Sequence, residues 1–299
     1  MSGRSVVIAG ASGFLGRHLS EGLVDRGHAV VALTRRPTSA PDESTWDPYA
    51  GTFDREVIEA ADVVVNVAGS PTFGNPHSGR WARSLRESRV TTTRVLAEAI
   101  AASERRPAFL AGNAVGWYGD HGGEPVTERS ESRGETFMTT VCRAWHDAAA
   151  PAVEAGARVC HLRTAPVIDG RAAPLKQLRL ATLAGLGARV GDGRQRMPMV
   201  SLRDWVGGVA HLVERDDLSG PVNLCAPRTP TNAEFTEALA RALHRRTFLV
   251  APAFAVRLGA GRLAPEALGS IDTRPTVLEA ADYSFRDRTV HEVVRAGLA

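Results

Sequence analysis

The stretch from Val6 to Gly16, V-V-I-A-G-A-S-G-F-L-G, constrains this chain more than any other. Small apolar residues, as in a buried strand, run into glycines at the spacing G-x-x-G-x-x-G. An amphipathic pattern follows at once, with Leu15, Leu19 and Leu23 on one helical face. The expectation is a strand, a tight turn and a helix N-terminus. Bare glycines let the backbone approach a ligand closely, and the free N–H groups of the first helical turn favour an anion. Such a turn receives the pyrophosphate of a dinucleotide. Gly10, Ser12, Gly13, Phe14, Leu15 and Gly16 are the residues it would use.

The second strand, His28 to Leu33, ends in Thr34-Arg35-Arg36. In a dinucleotide fold an acid at this strand end accepts from the 2′-hydroxyl of NAD, whereas arginines suit the 2′-phosphate of NADP. With two arginines and no acid there, the reading is NADP(H), held by Thr34, Arg35 and Arg36. A third apolar run, Asp62 to Gly69, ends in Ala68-Gly69, small residues beside which a ribose or nicotinamide can lie.

Along the rest of the chain, residues 38–52 read as a Pro/Ser/Gly-rich connection and 70–80 as a loop. Helices are expected over about 81–102 and 135–155, with strands at 107–113 and 157–164. The alternation gives an α/β chain: a Rossmann, doubly wound parallel sheet over residues 1–168. Residues 169–299 have no glycine fingerprint of their own. They read as a smaller α+β substrate-binding lid, packed on the first domain or interleaved with it, whose helices open at capping boxes beginning at Ser201 and Thr231.

Composition excludes several classes. The net charge is +3, with arginines scattered among acids, which argues against a nucleic-acid partner. No apolar run approaches the roughly 20 residues that a membrane helix needs, so no membrane partner is expected. Cys142, Cys160 and Cys225 lie far apart and read as reduced thiols of a cytoplasmic protein. No His/Cys/Asp/Glu group has metal-ligand spacing, so no metal is expected. The expected partner is a small-molecule substrate, and the expected assembly a monomer or homodimer.

Taken together, G-A-S-G-F-L-G, the V-N-V-A-G strand end and Trp117-Tyr118-Gly119-Asp120 resemble an extended or atypical short-chain dehydrogenase/reductase. More narrowly, the chain is similar to the NAD-dependent epimerase/dehydratase-like group of the YfcH type. Trp46–Pro48, Glu87–Val90, Cys142–Trp145, His161–Thr164, Gly193–Gln195, Ser219–Leu224 and Thr231–Phe235 also match. The resemblance covers essentially the whole chain and implies NADP(H) binding more than a particular substrate. It also exposes departures. The superfamily's Tyr-x-x-x-Lys pair cannot be present, because Lys176 is the only lysine and the pair's places fall at Met138 and Cys142. The usual active-site serine is Asn113. Loops that would face a substrate depart at Ser70, His77, Arg196–Asp204 and Pro275–Val277.

Three side chains are candidates for the chemistry. Tyr118 is a phenol just past a strand end, Asn113 could bond a carbonyl or the nicotinamide amide, and His77 lies in a loop that would face substrate. The implied function is an NADP(H)-dependent oxidoreductase acting on a carbonyl, imine or activated alkene. A redox-neutral epimerase, dehydratase or cyclase, or an NADP(H)-binding sensor or scaffold, are the alternatives.

Overall fold

A computed structural model describes residues 3–173 and 175–299. Its centre is an eight-stranded sheet built from β1 (Ser5–Ala9), β2 (Ala29–Thr34), β3 (Glu43–Asp47), β4 (Thr52–Phe53), β5 (Val63–Asn66), β6 (Ala108–Ala114), β7 (Val159–Thr164) and β8 (Gly220–Leu224). The strand order is β8-β7-β6-β5-β1-β2-β3-β4, and every pairing is parallel except β3 with β4.

Both faces of the sheet are covered at its centre, which is why β1 and β5 are apolar almost throughout. Val6, Ile8, Val63 and Val65 point to one side, against Leu19 and Leu23 of α1 (Phe14–Val24). Val7, Ala9 and Val64 point to the other, against Leu96, Ala97 and Ile100 of α2 (Gly79–Ala102). Beside α2 lies α3 (Phe137–Asp147), which packs on β6.

Several expectations change. Residues 38–52 are not simply a connection: Ser44 and Trp46 are buried at alternate positions of β3, a strand whose other residues are polar. The single helix expected over 135–155 is two, α3 and a short helix Ala150–Glu154, whose start holds Pro151, a residue with no N–H for a continuing ladder. In α2, Val90 and Val95 are half-buried, while Ser88, Arg89, Thr92 and Thr93 fill the buried stripe between Leu85 and Leu96.

The chain leaves the sheet after β7 and comes back to it. Ser201 caps α4 (Leu202–Glu214), whose Trp205, Val209, Leu212 and Val213 join the core under α1, and β8 then pairs with β7. The smaller lobe is therefore made of segments on either side of this return. Its own core joins Ile168, Leu175 and Met199 to Phe235 and Leu239 of α5 (Asn232–Ala242) and to Val293 and Val294 of α6 (Val290–Leu298). Buried carboxylates tie the pieces: Asp204 accepts from the N–H groups of Arg286 and Asp287, and Glu128 from those of Asn223 and Val277. Among the described residues no helix is long and apolar enough to cross a membrane.

Candidate active site

The sheet order reverses at β1, whose neighbours β2 and β5 run on to opposite sides of the sheet. Ligands of open α/β sheets bind outside the carboxyl ends of the strands at such a point. The glycine turn lies there, and its glycines are sterically required. Gly10 has φ +89°, and a Cβ on it would stand 2.7 Å from the backbone N of Ala68. A Cβ on Gly16 would stand 2.1 Å from the Gly10 carbonyl oxygen. The turn is closed by the Gly13 N–H donating to Gly10 O at 2.9 Å. Gly13 then serves as the N-cap of α1 with no side chain across it, so the first helical N–H groups stay open to an anion. Ser12 is exposed beside them; Phe14 and Leu15 are half-buried.

At the end of β2, Arg35 and Arg36 are exposed, and among the described residues neither guanidinium is ion-paired. The Thr34 hydroxyl accepts from the Arg36 N–H, shaping the strand exit. Across the turn, the Ala68 N–H donates to Asn66 Oδ1 at 3.0 Å, while Asn66 Nδ2 donates to Thr93 at 2.9 Å. Trp145 of α3 donates to the same Thr93 hydroxyl. These bonds fix the end of β5 and the path to Ala68 and Gly69.

Beside Gly69 lies Arg89, a residue the sequence reading did not single out. A Cβ on Gly69 would meet the Arg89 guanidinium carbon at 3.2 Å. The guanidinium is buried and donates to Ser70 O, Leu85 O and the Thr72 hydroxyl; it has no carboxylate partner among the described residues. Burial pulls its pKa down. It remains a cation held by neutral acceptors, so it projects positive potential toward the end of β5. The signal for it was its spacing four residues after Leu85 on the inward stripe of α2, masked by its polarity.

The places where the superfamily carries Tyr and Lys are closed. Met138 and Cys142 pack with Leu85, flanked by Leu263, Trp81 and Phe137. Burial pushes the Cys142 thiol up to about 12, so it stays protonated. Over the N-terminus of α3 lies Glu266, from the short helix Ala264–Leu268. The Thr136 hydroxyl donates to its Oε1 at 2.9 Å. Desolvation against α3 nonetheless raises its pKa above the usual carboxylate value.

Of the expected catalytic residues, Tyr118 is corrected. It is fully buried in a cluster with Val115, Val126, Ala165 and Cys225, and its hydroxyl donates to Asn223 Oδ1 at 2.7 Å. Burial raises the phenol to about 12. The Arg163 guanidinium stacks on Trp117 and Tyr118, 3.6 and 4.6 Å from their ring centres, so these aromatics are packing groups. Asn113 is buried with both ends on backbone: Nδ2 donates to Cys142 O and Oδ1 accepts from the Ala114 N–H. It braces α3 against β6 and has no amide group turned to the cleft. His77 is exposed, and its ring lies against Gly261, where a Cβ would come within 2.9 Å of it. The structure thus gathers the glycine turn, Thr34–Arg36 and Ala68–Gly69 at one end of the sheet, while His77 is placed against Gly261. Asp120, the end of the W-Y-G-D stretch, accepts from the Ser270 N–H and holds the second lobe over this edge. Among the described residues no three His, Cys, Asp or Glu side chains converge on a metal position.

Comparison with known proteins agrees with this architecture. The NAD dependent epimerase/dehydratase family matches residues 6–225, and a domain of unknown function, DUF1731, matches residues 251–296. An epimerase family protein of Mycobacterium leprae is 38% identical, covering 97% of this chain and 94% of its own. The human epimerase family protein SDR39U1 is 30% identical over 86% of each chain. A crystal structure of human SDR39U1 with NADPH superposes with a TM-score of 0.87 at 26% identity, covering 97% of this chain and 98% of that one. A nucleoside-diphosphate sugar epimerase structure from Corynebacterium glutamicum gives 0.81 at 33% identity, covering 99% of this chain and 58% of that one. On these matches, the chain belongs to the NAD dependent epimerase/dehydratase family.

Proposed function

We propose that the protein is an NADP(H)-dependent oxidoreductase of the short-chain dehydrogenase/reductase type that works on a small carbonyl, imine or activated alkene without a Tyr-Lys pair. The observation that carries the cofactor is the Arg35–Arg36 pair, exposed and, among the described residues, without ion pairs, at the end of the strand beside the glycine turn. NADPH in the structure of human SDR39U1 supports it. The glycine turn and the open N-terminus of α1 would hold the pyrophosphate, Arg35 and Arg36 the 2′-phosphate, and Ala68 and Gly69 the ribose side of the nicotinamide. When bound, NADPH supplies hydride.

The remaining tasks fall to this chain's own groups. Buried Arg89 stabilises negative charge that develops next to Gly69. Glu266, at the N-terminus of α3 beside the place the superfamily gives to its tyrosine, exchanges the proton. The apolar wall of Met138 and Leu263 keeps water away. A redox-neutral epimerisation is the second reading, supported by the sugar epimerase structure from Corynebacterium glutamicum at 33% identity; in it, no net NADPH is consumed.

Titration with NADPH and NADH, on the protein and on Arg35→Ala and Arg36→Ala, tests the reading. NADPH should bind more tightly than NADH. Loss of a phosphate contact should weaken NADPH by roughly 1.5–3 kcal/mol, about ten- to a hundredfold, and leave NADH nearly unchanged. Equal binding of both nucleotides, indifferent to both substitutions, would refute it.

A further inference from the structure

Two segments of the smaller lobe share an unusual surface. Residues 175–190 and 244–258 contain no Asp or Glu, in a chain that has 33 of them. They carry Lys176, Arg179, Arg189, Arg245, Arg246 and Arg257, all exposed, and among the described residues none is ion-paired. Between these cations lie large apolar side chains open to solvent: Phe248 is 80% exposed, Leu258 77%, Phe254 73%, Leu186 64% and Leu180 59%.

The fold makes one face of the two segments. A short parallel pair joins Ala188–Val190 to Leu249–Ala251, and Arg245 Nε donates to Leu183 O. At each end of this face, the flanking residues touch a segment of the candidate site. On one side, the residues just before the helix Leu175–Leu183 place the Arg171 guanidinium 5.8 Å from the ring centre of Phe14, in the first turn of α1. On the other, the helix Ala253–Ala260 leads into Gly261 and Arg262, which contact His77 and Pro76 O of the loop after Gly69.

We propose that this face binds the substrate, and that the substrate is an amphipathic anion with an apolar chain and an acidic or phosphorylated head. The proposal rests on the functional reading above and names the substrate class for that site. Apolar side chains this exposed need an apolar partner, and six uncompensated cations need a negative one. A second copy of the chain meets the first need and violates the second, because a two-fold contact would set like charges against each other. Adjacency to the glycine turn and to His77 favours a ligand that reaches the cofactor over a partner that only docks.

The test uses dodecyl phosphate below its micelle concentration, with inorganic phosphate as a headgroup control, in calorimetric titrations of the NADPH-loaded protein. Two double variants accompany it, Phe254→Ser with Leu258→Ser and Arg245→Glu with Arg246→Glu. Dodecyl phosphate should bind, inorganic phosphate should bind far more weakly, and each double variant should lose about tenfold or more in affinity while its NADPH affinity is unchanged. Absence of dodecyl phosphate binding, or binding that neither variant weakens, overturns the proposal. Two further results overturn it by naming another occupant. One is a dimer in light scattering that Phe254→Ser with Leu258→Ser dissolves. The other is retention on phosphatidylglycerol vesicles without binding of the free amphiphile. Failure of the wild-type protein to bind NADPH would instead strike the functional reading alone.

Discussion

Cys142 and Met138 show how much one residue position can move a mechanism. A phenol and an ammonium at their places would form a proton relay; a thiol held near 12 and a thioether form none. The group we assign the task to is Glu266, and that role separates from mere capping of α3 by experiment. Glu266→Gln keeps an acceptor for the Thr136 hydroxyl and removes the proton-exchanging carboxyl. The pH profile of NADPH oxidation, with whichever carbonyl is turned over, should lose the limb that Glu266 sets, while NADPH affinity stays within about twofold. If Glu266 only caps the helix, the profile keeps its shape and stability falls by about 1 kcal/mol. Arg89 and Glu266 were illegible in the sequence for the same reason. Neither shows its role in its residue type: Arg89 is made significant by the loop at Gly69 and Ser70 that folds against it, and Glu266 by Thr136, far back along the chain. The glycines were legible because they recur at a fixed spacing between a strand and a helix, although the atoms a Cβ on Gly10 would meet belong to Val67 and Ala68.

At the level of elements, α3 and β7 meet through two histidines that the sequence reading passed over. His146 and His161 stack with ring centres 3.8 Å apart. Burial, the neighbouring His146 and the Arg163 guanidinium pull His161 down to about 3, and burial also lowers His146. In the unfolded chain His161 titrates near 6.5, so between that pH and about 3 the unfolded state binds the extra proton. Stability therefore rises with pH across that window and is lost as pH falls below the unfolded value. His161 alone should cost about 1.4 kcal/mol on going from about pH 7.5 to about pH 5.5, with His146 adding in the same direction. Urea unfolding at the two pH values measures this, and His161→Gln should shrink the difference by that amount; an unchanged difference would refute the assignment. Element types were legible wherever period and capping agreed, as in β1, α1 and α4. They failed at β3, whose polar composition hides two inward residues; on α2 the helix was legible but its inward face was not, because the buried stripe is Ser, Arg and Thr facing Asn66 and Trp145.

For the whole molecule, the return of the chain to its first sheet matters more than any boundary drawn in the sequence. A fragment of residues 1–168 contains the glycine turn, both arginines and seven of the eight strands, and would pass for a complete nucleotide-binding domain. It lacks β8, which covers the edge of β7, and α4, whose Trp205, Val209, Leu212 and Val213 cover the face that α1 leaves open. Without them, Cys160, Leu162 and Leu110 lose their cover and β7 becomes a bare apolar edge strand. The buried acceptor of Tyr118, Asn223 Oδ1, goes as well. Fully burying one large apolar side chain is worth roughly 1.5–3 kcal/mol, and α4 alone supplies four, against a total stability of about 5–15 kcal/mol. The fragment should therefore show no cooperative thermal transition by circular dichroism and should not bind NADPH. The full chain should melt cooperatively, at a temperature that NADPH raises. A soluble, cooperatively melting fragment of residues 1–168 that binds NADPH would show that the cofactor half is an autonomous domain and that the later segments merely lie on it.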